Sequence, residues 1–361
     1  MNPIAARPRR RSEKPVLITG GCGFIGCNLA DAIAGRGERV LLLDTFARRG
    51  AEENATWLQA RHRDRVEIVN ADVRDAETIA SVVADARAVL HLAAQVAVTT
   101  SLEDPHEDFT VNAAGTLNVL EAVRRRNPDA PVIFASTNKV YGKIVGDEDI
   151  ATDGARYVPA DARWQLGVGE QAPLDLYSPY GCSKGAADQY VHDYARVFAL
   201  RTVVMRMSCI YGPRQFGNED QGWIAHFLLQ AIRGQPITIY GTGLQVRDAL
   251  FIDDAVAAWL SALDRIDIVA GRVFNLGGGP QNALSLLELI DMIGELHGSV
   301  APEFGAWRPG DQPWYVSDVR AIAAALDWRP RTALRAGLRA LDHWLTARFG
   351  VPAVELKKAH A

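Results

Sequence analysis

Val16-Leu17-Ile18-Thr19-Gly20-Gly21-Cys22-Gly23-Phe24-Ile25-Gly26 is the stretch whose reading decides the fold. Pro15 to Thr19 is a short apolar run of the kind that forms a strand buried on both faces of a parallel sheet. A helical pattern runs from Cys27 to Arg36, so the glycines sit between a strand and a helix. In that context Gly20 permits a tight turn, Gly23 lets backbone approach a pyrophosphate, and Gly26 lets the helix pack closely on the strand. Phe24 and Ile25 lie between the last two glycines, just before the helix N-terminus, which offers free N–H groups and the positive end of its dipole to the phosphates. The spacing is G-x-x-G-x-x-G, not the commoner G-x-G-x-x-G, so its weight depends on the next strand.

That second strand, Arg39 to Leu43, ends in Asp44. A carboxylate about 20 residues beyond the glycines can accept bonds from the adenosine ribose hydroxyls of a dinucleotide. It would repel a 2′-phosphate, which favours NAD over NADP; Arg48 and Arg49 close behind keep NADP open. Val66 to Asn70 reads as a third strand leading to Asp72-Val73, where a short acid can meet an adenine amino group. Ala88 to Leu92 reads as a fourth, ending in Ala93-Ala94-Gln95, whose small residues leave room for a dinucleotide at a strand's carboxyl end. Helical segments near 75–85 and 107–127 separate these strands from the next, Val132 to Ala135. Strands alternating with helices predict a doubly wound parallel sheet. His91, on a buried strand, reads as a satisfied core histidine and not as a ligand.

The Val132 strand delivers Ser136-Thr137-Asn138-Lys139-Val140-Tyr141-Gly142 to the sheet's carboxyl edge. About forty residues on come Tyr180 and Lys184, four apart and on one face of a helix. An ammonium near a phenol is expected to lower a pKa that is about 10 in solution, leaving a group able to take a proton from a sugar hydroxyl. A hydroxyl of the Ser136-Thr137 pair can bond the substrate oxygen meanwhile.

Composition narrows the class. The 361 residues are 48% hydrophobic and 23% charged, which suits a globular protein of two lobes. A net charge of −4 gives no electrostatic case for nucleic acid or an anionic membrane. No apolar run approaches the roughly 20 residues of a membrane helix. Cys22, Cys27, Cys182 and Cys209 lack zinc-ligand spacing and disulfide density, so no metal and a reducing cytoplasm are expected. Residues 1–14 read as a disordered basic arm and 351–361 as a mobile tail. The long 143–178 stretch reads as a partial cover over the substrate.

Together T-G-G-x-G-F-I-G, the Asp44 strand end, Asp72-Val73, H-L-A-A-Q, S-T-x-x-V-Y-G and Y-G-x-S-K resemble the extended short-chain dehydrogenase/reductase family of nucleotide-sugar epimerases and dehydratases. The resemblance runs from about residue 15 to 347. It implies a Rossmann-type doubly wound domain, mainly 15–200, and a smaller C-terminal α/β substrate-binding lobe, mainly 201–350, with the chain interleaving between them. It implies NAD as cofactor and Thr137, Tyr180 and Lys184 as the catalytic set. It adds Leu92, Asn112 and Met207 to the cofactor site. It also implies a nucleotide-sugar substrate and a homo-oligomer, with helices near 107–127 and 183–199 as the interface.

A 4,6-dehydratase of this family is expected to carry Asp-Glu after the threonine; Asn138 and Lys139 stand there instead. QVAVTTS (95–101), STNKVYG (136–142), SPYGCSKGAADQY (178–190) and DQGW (220–223) are similar to the branch that inverts C2 of CDP-hexoses through a 2-keto sugar. That similarity implies Thr99, Asn138, Ser208 and Gln221 as substrate ligands, with Arg247 and Arg308 at the diphosphate, where arginine forks match oxygens in pairs. Inversion at C4, decarboxylation, or a non-catalytic NAD-binding sensor or scaffold are the alternatives the residues leave open.

Overall fold

A computed structural model describes residues 14–298 and 300–350; the arm, apart from Lys14, and the tail lie outside the described residues. The large sheet has seven parallel strands. Their spatial order is Arg272–Leu276, Thr202–Met207, Val132–Thr137, Ala88–His91, Val16–Thr19, Val40–Asp44, Val66–Asn70. This is the doubly wound sheet expected from the sequence. The strand order reverses between Val16–Thr19 and Ala88–His91, which opens a crevice at their carboxyl ends.

Alternation along the strands builds a core on each face. Val16, Ile18, Leu42 and Ile133 pack on one side with Leu29 and Ile33 of the Phe24–Gly35 helix and Trp259 of the Ile252–Asp264 helix. Leu17, Leu41, Leu43 and Phe134 face the other way, against Ile79, Val119, Leu120 and Val191 from three further helices.

The chain crosses to the smaller lobe after Met207 and returns for the edge strand Arg272–Leu276. In the lobe, Val246–Phe251 pairs with Ala283–Ser285, Trp314–Tyr315 and Cys209–Tyr211. Helices Trp223–Ile232, Leu286–His297 and Leu334–Phe349 flank it, the second closed by a capping box between Ser285 and Glu288.

One expectation holds with a local change and one fails. The helix near 107–127 is present, with a π turn, Thr110–Ala114, set between Pro105–Phe109 and Gly115–Arg126. The turn accompanies a close approach, because a Cβ on Gly115 would lie 2.6 Å from Val73. The 143–178 stretch does not cover the crevice. It folds a hairpin, Ile150–Asp153 with Arg156–Pro159, and buries Val145 and Val168 with Tyr141, Trp314 and Tyr315 in a core of its own. Among the described residues, no helix is long and apolar enough to cross a membrane.

Candidate active site

The crevice between the lobes encloses about 850 Å³. It is lined by Gly20, Gly23 to Gly26, Asp44, Asp72, Val73, Leu92 to Gln95, Thr99, Thr137, Asn138, Tyr180, Lys184, Met207, Ser208, Gln221, Arg247 and Arg308. Every sequence-predicted site residue except Asn112 therefore reaches one cavity.

Local backbone explains the first wall. Gly20 has φ +67°, and a Cβ there would meet the Ala93 nitrogen at 2.8 Å. A Cβ on Gly26 would fall 2.3 Å from the Gly20 carbonyl oxygen. The helix starting at Phe24 has no side-chain cap, so its first N–H groups are left for an anion. Asp44, at the end of the next strand, accepts from the backbone N–H groups of Cys22 and Phe46, each at 2.9 Å. Glycine turn, uncapped helix and buried acid fit a dinucleotide with free ribose hydroxyls. Asp72 is held by the Arg74 guanidinium, which keeps its carboxyl below the usual range.

His91 is the core histidine anticipated. Thr116 Oγ1 donates to the Asn112 carbonyl at 2.6 Å, so it accepts from His91 Nε2 at 2.9 Å. Thr19 Oγ1 then donates to Nδ1 at 2.7 Å. Burial, and secondarily Lys184, hold the ring neutral, with its pKa down to about 3.

Tyr180 and Lys184 lie on the first turns of the Ser178–Phe198 helix, both buried. Their electrostatics differ from the sequence expectation. Desolvation pushes the Tyr180 phenol up to about 12, against a hydrogen bond with Thr137; Asp108 raises it further and Arg48 lowers it. Desolvation also brings the Lys184 ammonium down to about 7, opposed by Asp188 and Asp108. Its Nζ sits 4.2 Å from the centre of the Phe134 ring. The groups that act on the phenol are Thr137, Asp108 and Arg48, not Lys184 as the spacing suggested.

The second wall is a set of paired charges. Arg247 Nη2 donates to Asp311 at 2.6 Å, and Lys139 Nζ lies 3.4 Å from the same carboxylate and 3.1 Å from the Gly310 carbonyl. Arg308 pairs with Glu219 at 2.7 Å and stacks 3.8 Å over the Tyr240 ring. Gln221 accepts from Arg48, which crosses from the Rossmann half. Ser208 Oγ donates to Asp248 at 2.5 Å, and Asn138 Nδ2 donates to Gln312 at 3.2 Å. Thr99 Oγ1 is buried beside the cavity without a hydrogen-bond partner.

Asn112 lies behind the wall. Its two Nδ2 hydrogens are shared among the Gln95 carbonyl, Asp108 and Ser183, which lie at 3.0–3.1 Å. Sequence reading missed Asp108 and Asp311 as site members, and it noted Arg48 only as a residue that keeps NADP open, not as a partner of Gln221. A lone acid on a helix and an arginine in a loop give no signal until their distant partners are known.

Residues 16–277 match the model of the NAD dependent epimerase/dehydratase family. The chain is 40% identical over 341 residues to the CDP-paratose 2-epimerase of Salmonella typhi, covering 92% of this chain and 99% of that one. It is 31% identical to the UDP-glucose 4-epimerase of Mycolicibacterium smegmatis, over 89% and 95% of the two chains. The UDP-glucuronic acid 4-epimerase of Bacillus cereus, solved with UDP-glucuronic acid and NAD, superposes with a TM-score of 0.80 at 27% identity, covering 93% of this chain and all of that one.

Proposed function

The chain belongs to the NAD dependent epimerase/dehydratase family, and on that premise we propose that it inverts C2 of a CDP-hexose of the CDP-paratose/CDP-tyvelose type. The single observation that carries this reading is the 40% identity to a CDP-paratose 2-epimerase along essentially its whole length. Asn138 and Lys139 support it. Removing water from a sugar needs a positioned acid and base; here one position holds an amide engaged with Gln312 and the other an ammonium engaged with Asp311. Oxidation followed by re-reduction needs only the hydroxyl proton transfer assigned to Tyr180, and no second acid–base pair.

When bound, NAD supplies a hydride acceptor, the returning hydride, and a positive charge near Tyr180. Tyr180 takes the C2 hydroxyl proton and gives it back. Thr137, hydrogen-bonded to the phenol, fixes its direction. Lys184 and Asp44 hold ribose hydroxyls of the cofactor. The 2-keto sugar turns in the cavity and presents its other face, while Arg247 and Arg308 exchange Asp311 and Glu219 for diphosphate oxygens. Leu102, Phe109, Tyr190, Val197 and Phe198, exposed on the helices flanking this wall, support a homo-oligomer.

Incubation with CDP-, UDP-, GDP- and dTDP-hexoses, with product stereochemistry read by NMR, tests the assignment. Inversion at C2 of CDP-paratose is expected; turnover confined to C4 of a UDP-sugar would overturn it. Gly26→Ala should weaken NAD binding by about 5- to 150-fold, the equivalent of an overpacking cost of about 1–3 kcal/mol. Calorimetric titration with NAD checks this, and an unchanged affinity would remove the glycine turn from the cofactor site.

A further inference from the structure

Asp108 is fully buried at the end of the Pro105–Phe109 helix, just before the π turn. Its Oδ1 accepts from Gln95 Nε2 at 2.8 Å and from Asn112 Nδ2 at 3.1 Å. Its Oδ2 accepts from Ser183 Oγ. Amide nitrogens only donate, so Oδ1 is held as an acceptor, while burial raises the carboxyl above its usual range against the Ser183 and Gln95 bonds. Among the described residues, no arginine or lysine lies within ion-pair range of it.

Two buried acids act on Lys184, Asp188 and then Asp108. Asp188 is the larger influence, yet Arg206 grips it bidentately at 2.8 and 2.9 Å, and the two charges offset each other. Asp108 has no such neutraliser. Its charge also reaches the Tyr180 phenol, and Ser183, which it holds, is the residue beside Lys184 on the catalytic helix.

We propose that Asp108 is the buried counter-anion of Lys184, a positioning residue that fixes the charge and direction of the ammonium through Ser183, Asn112 and Gln95. This rests on the placement of Tyr180 and Lys184 at the hydride-transfer centre. The other groups facing Lys184 are neutral His91, Asp188 and the Phe134 ring; those facing Tyr180 are Thr137 and Arg48.

Asp108→Asn removes the charge and can keep the bonds. The new oxygen accepts from Gln95 and Asn112, the new amide donates to Ser183 Oγ, and the Ser183 proton turns to the Tyr180 carbonyl at 3.2 Å. Loss of a nearby negative charge lowers both the phenol and the ammonium pKa. Both limbs of the kcat profile should therefore move to lower pH, by about one unit, a tenfold loss on the alkaline side.

Ser183→Ala, which keeps the charge, should lower kcat with both limbs in place. A D108N profile with unmoved limbs, or an S183A profile that moves as far, overturns the inference. Lys184 can also be titrated in the wild-type protein by NMR of its side chain. A midpoint lower in D108N than in the wild-type protein supports a counter-anion; an unmoved midpoint overturns it. Tyr180→Phe separates the two readings: if it stays active, the placement of the catalytic centre fails, whatever D108N does.

Discussion

Tyr180→Phe is expected to lower kcat by about 10³-fold while NAD stays bound, within the 10²–10⁴ range of a lost general acid–base group. The phenol is buried, bonded to Thr137, and lines the cavity beside Lys184 and Met207. Phenylalanine keeps the ring and its packing and deletes only the oxygen that moves the proton. Its burial also sets the pH dependence. With the phenol pushed up to about 12, Tyr180 is protonated at neutral pH unless positive charge is brought beside it. Single-turnover measurement of transient NADH absorbance, together with mass spectrometry of bound NAD, separates chemistry from binding. Undiminished turnover would remove Tyr180 from the mechanism, and loss of NAD would make it a cofactor ligand instead of a base.

The second large effect is structural. Asp188→Asn should destabilise the fold by about 3–5 kcal/mol, the cost of leaving one partner of a buried ion pair uncompensated. Asp188 and Arg206 are almost fully buried and joined by two hydrogen bonds. Ser136 Oγ donates to Asp188 at 2.6 Å. Arg206 Nη1 donates to Tyr141 Oη at 3.0 Å, and that hydroxyl donates to Asn275 Oδ1 at 2.7 Å. The network ties the catalytic helix to three adjacent strands of the large sheet and to the Tyr141 segment. Since a domain of this kind is stable by only about 5–15 kcal/mol, the variant should unfold at markedly lower denaturant. A change below about 1 kcal/mol in urea unfolding would show that the pair is dispensable.

The glycine turn, Asp44, Thr137, Tyr180 and Lys184 were legible because each depends on short spacings within one strand–turn–helix unit. Period-two burial and helical spacing follow from backbone geometry, so they appear in any sequence that folds this way. The diphosphate arginines were legible as candidates only. Their present partners, Asp311 for Arg247 and Glu219 for Arg308, stand 64 and 89 positions away along the chain. The destination of 143–178 was misread for a related reason. A long loop announces that it has some role, but its apolar residues find Tyr141, Trp314 and Tyr315 only in the folded protein.

By itself, then, the sequence determined the parallel doubly wound sheet, and it nominated the switch point for the dinucleotide and the two side chains proposed for proton transfer. Tertiary structure decided their charge. Tyr180 and Lys184 are shifted in opposite directions because packing strips both of water, and Asp108 becomes their neighbour only when Ser183, 75 residues on, is brought against it. Burial and long-range pairing are sums over the whole fold, and no local stretch of residues contains them.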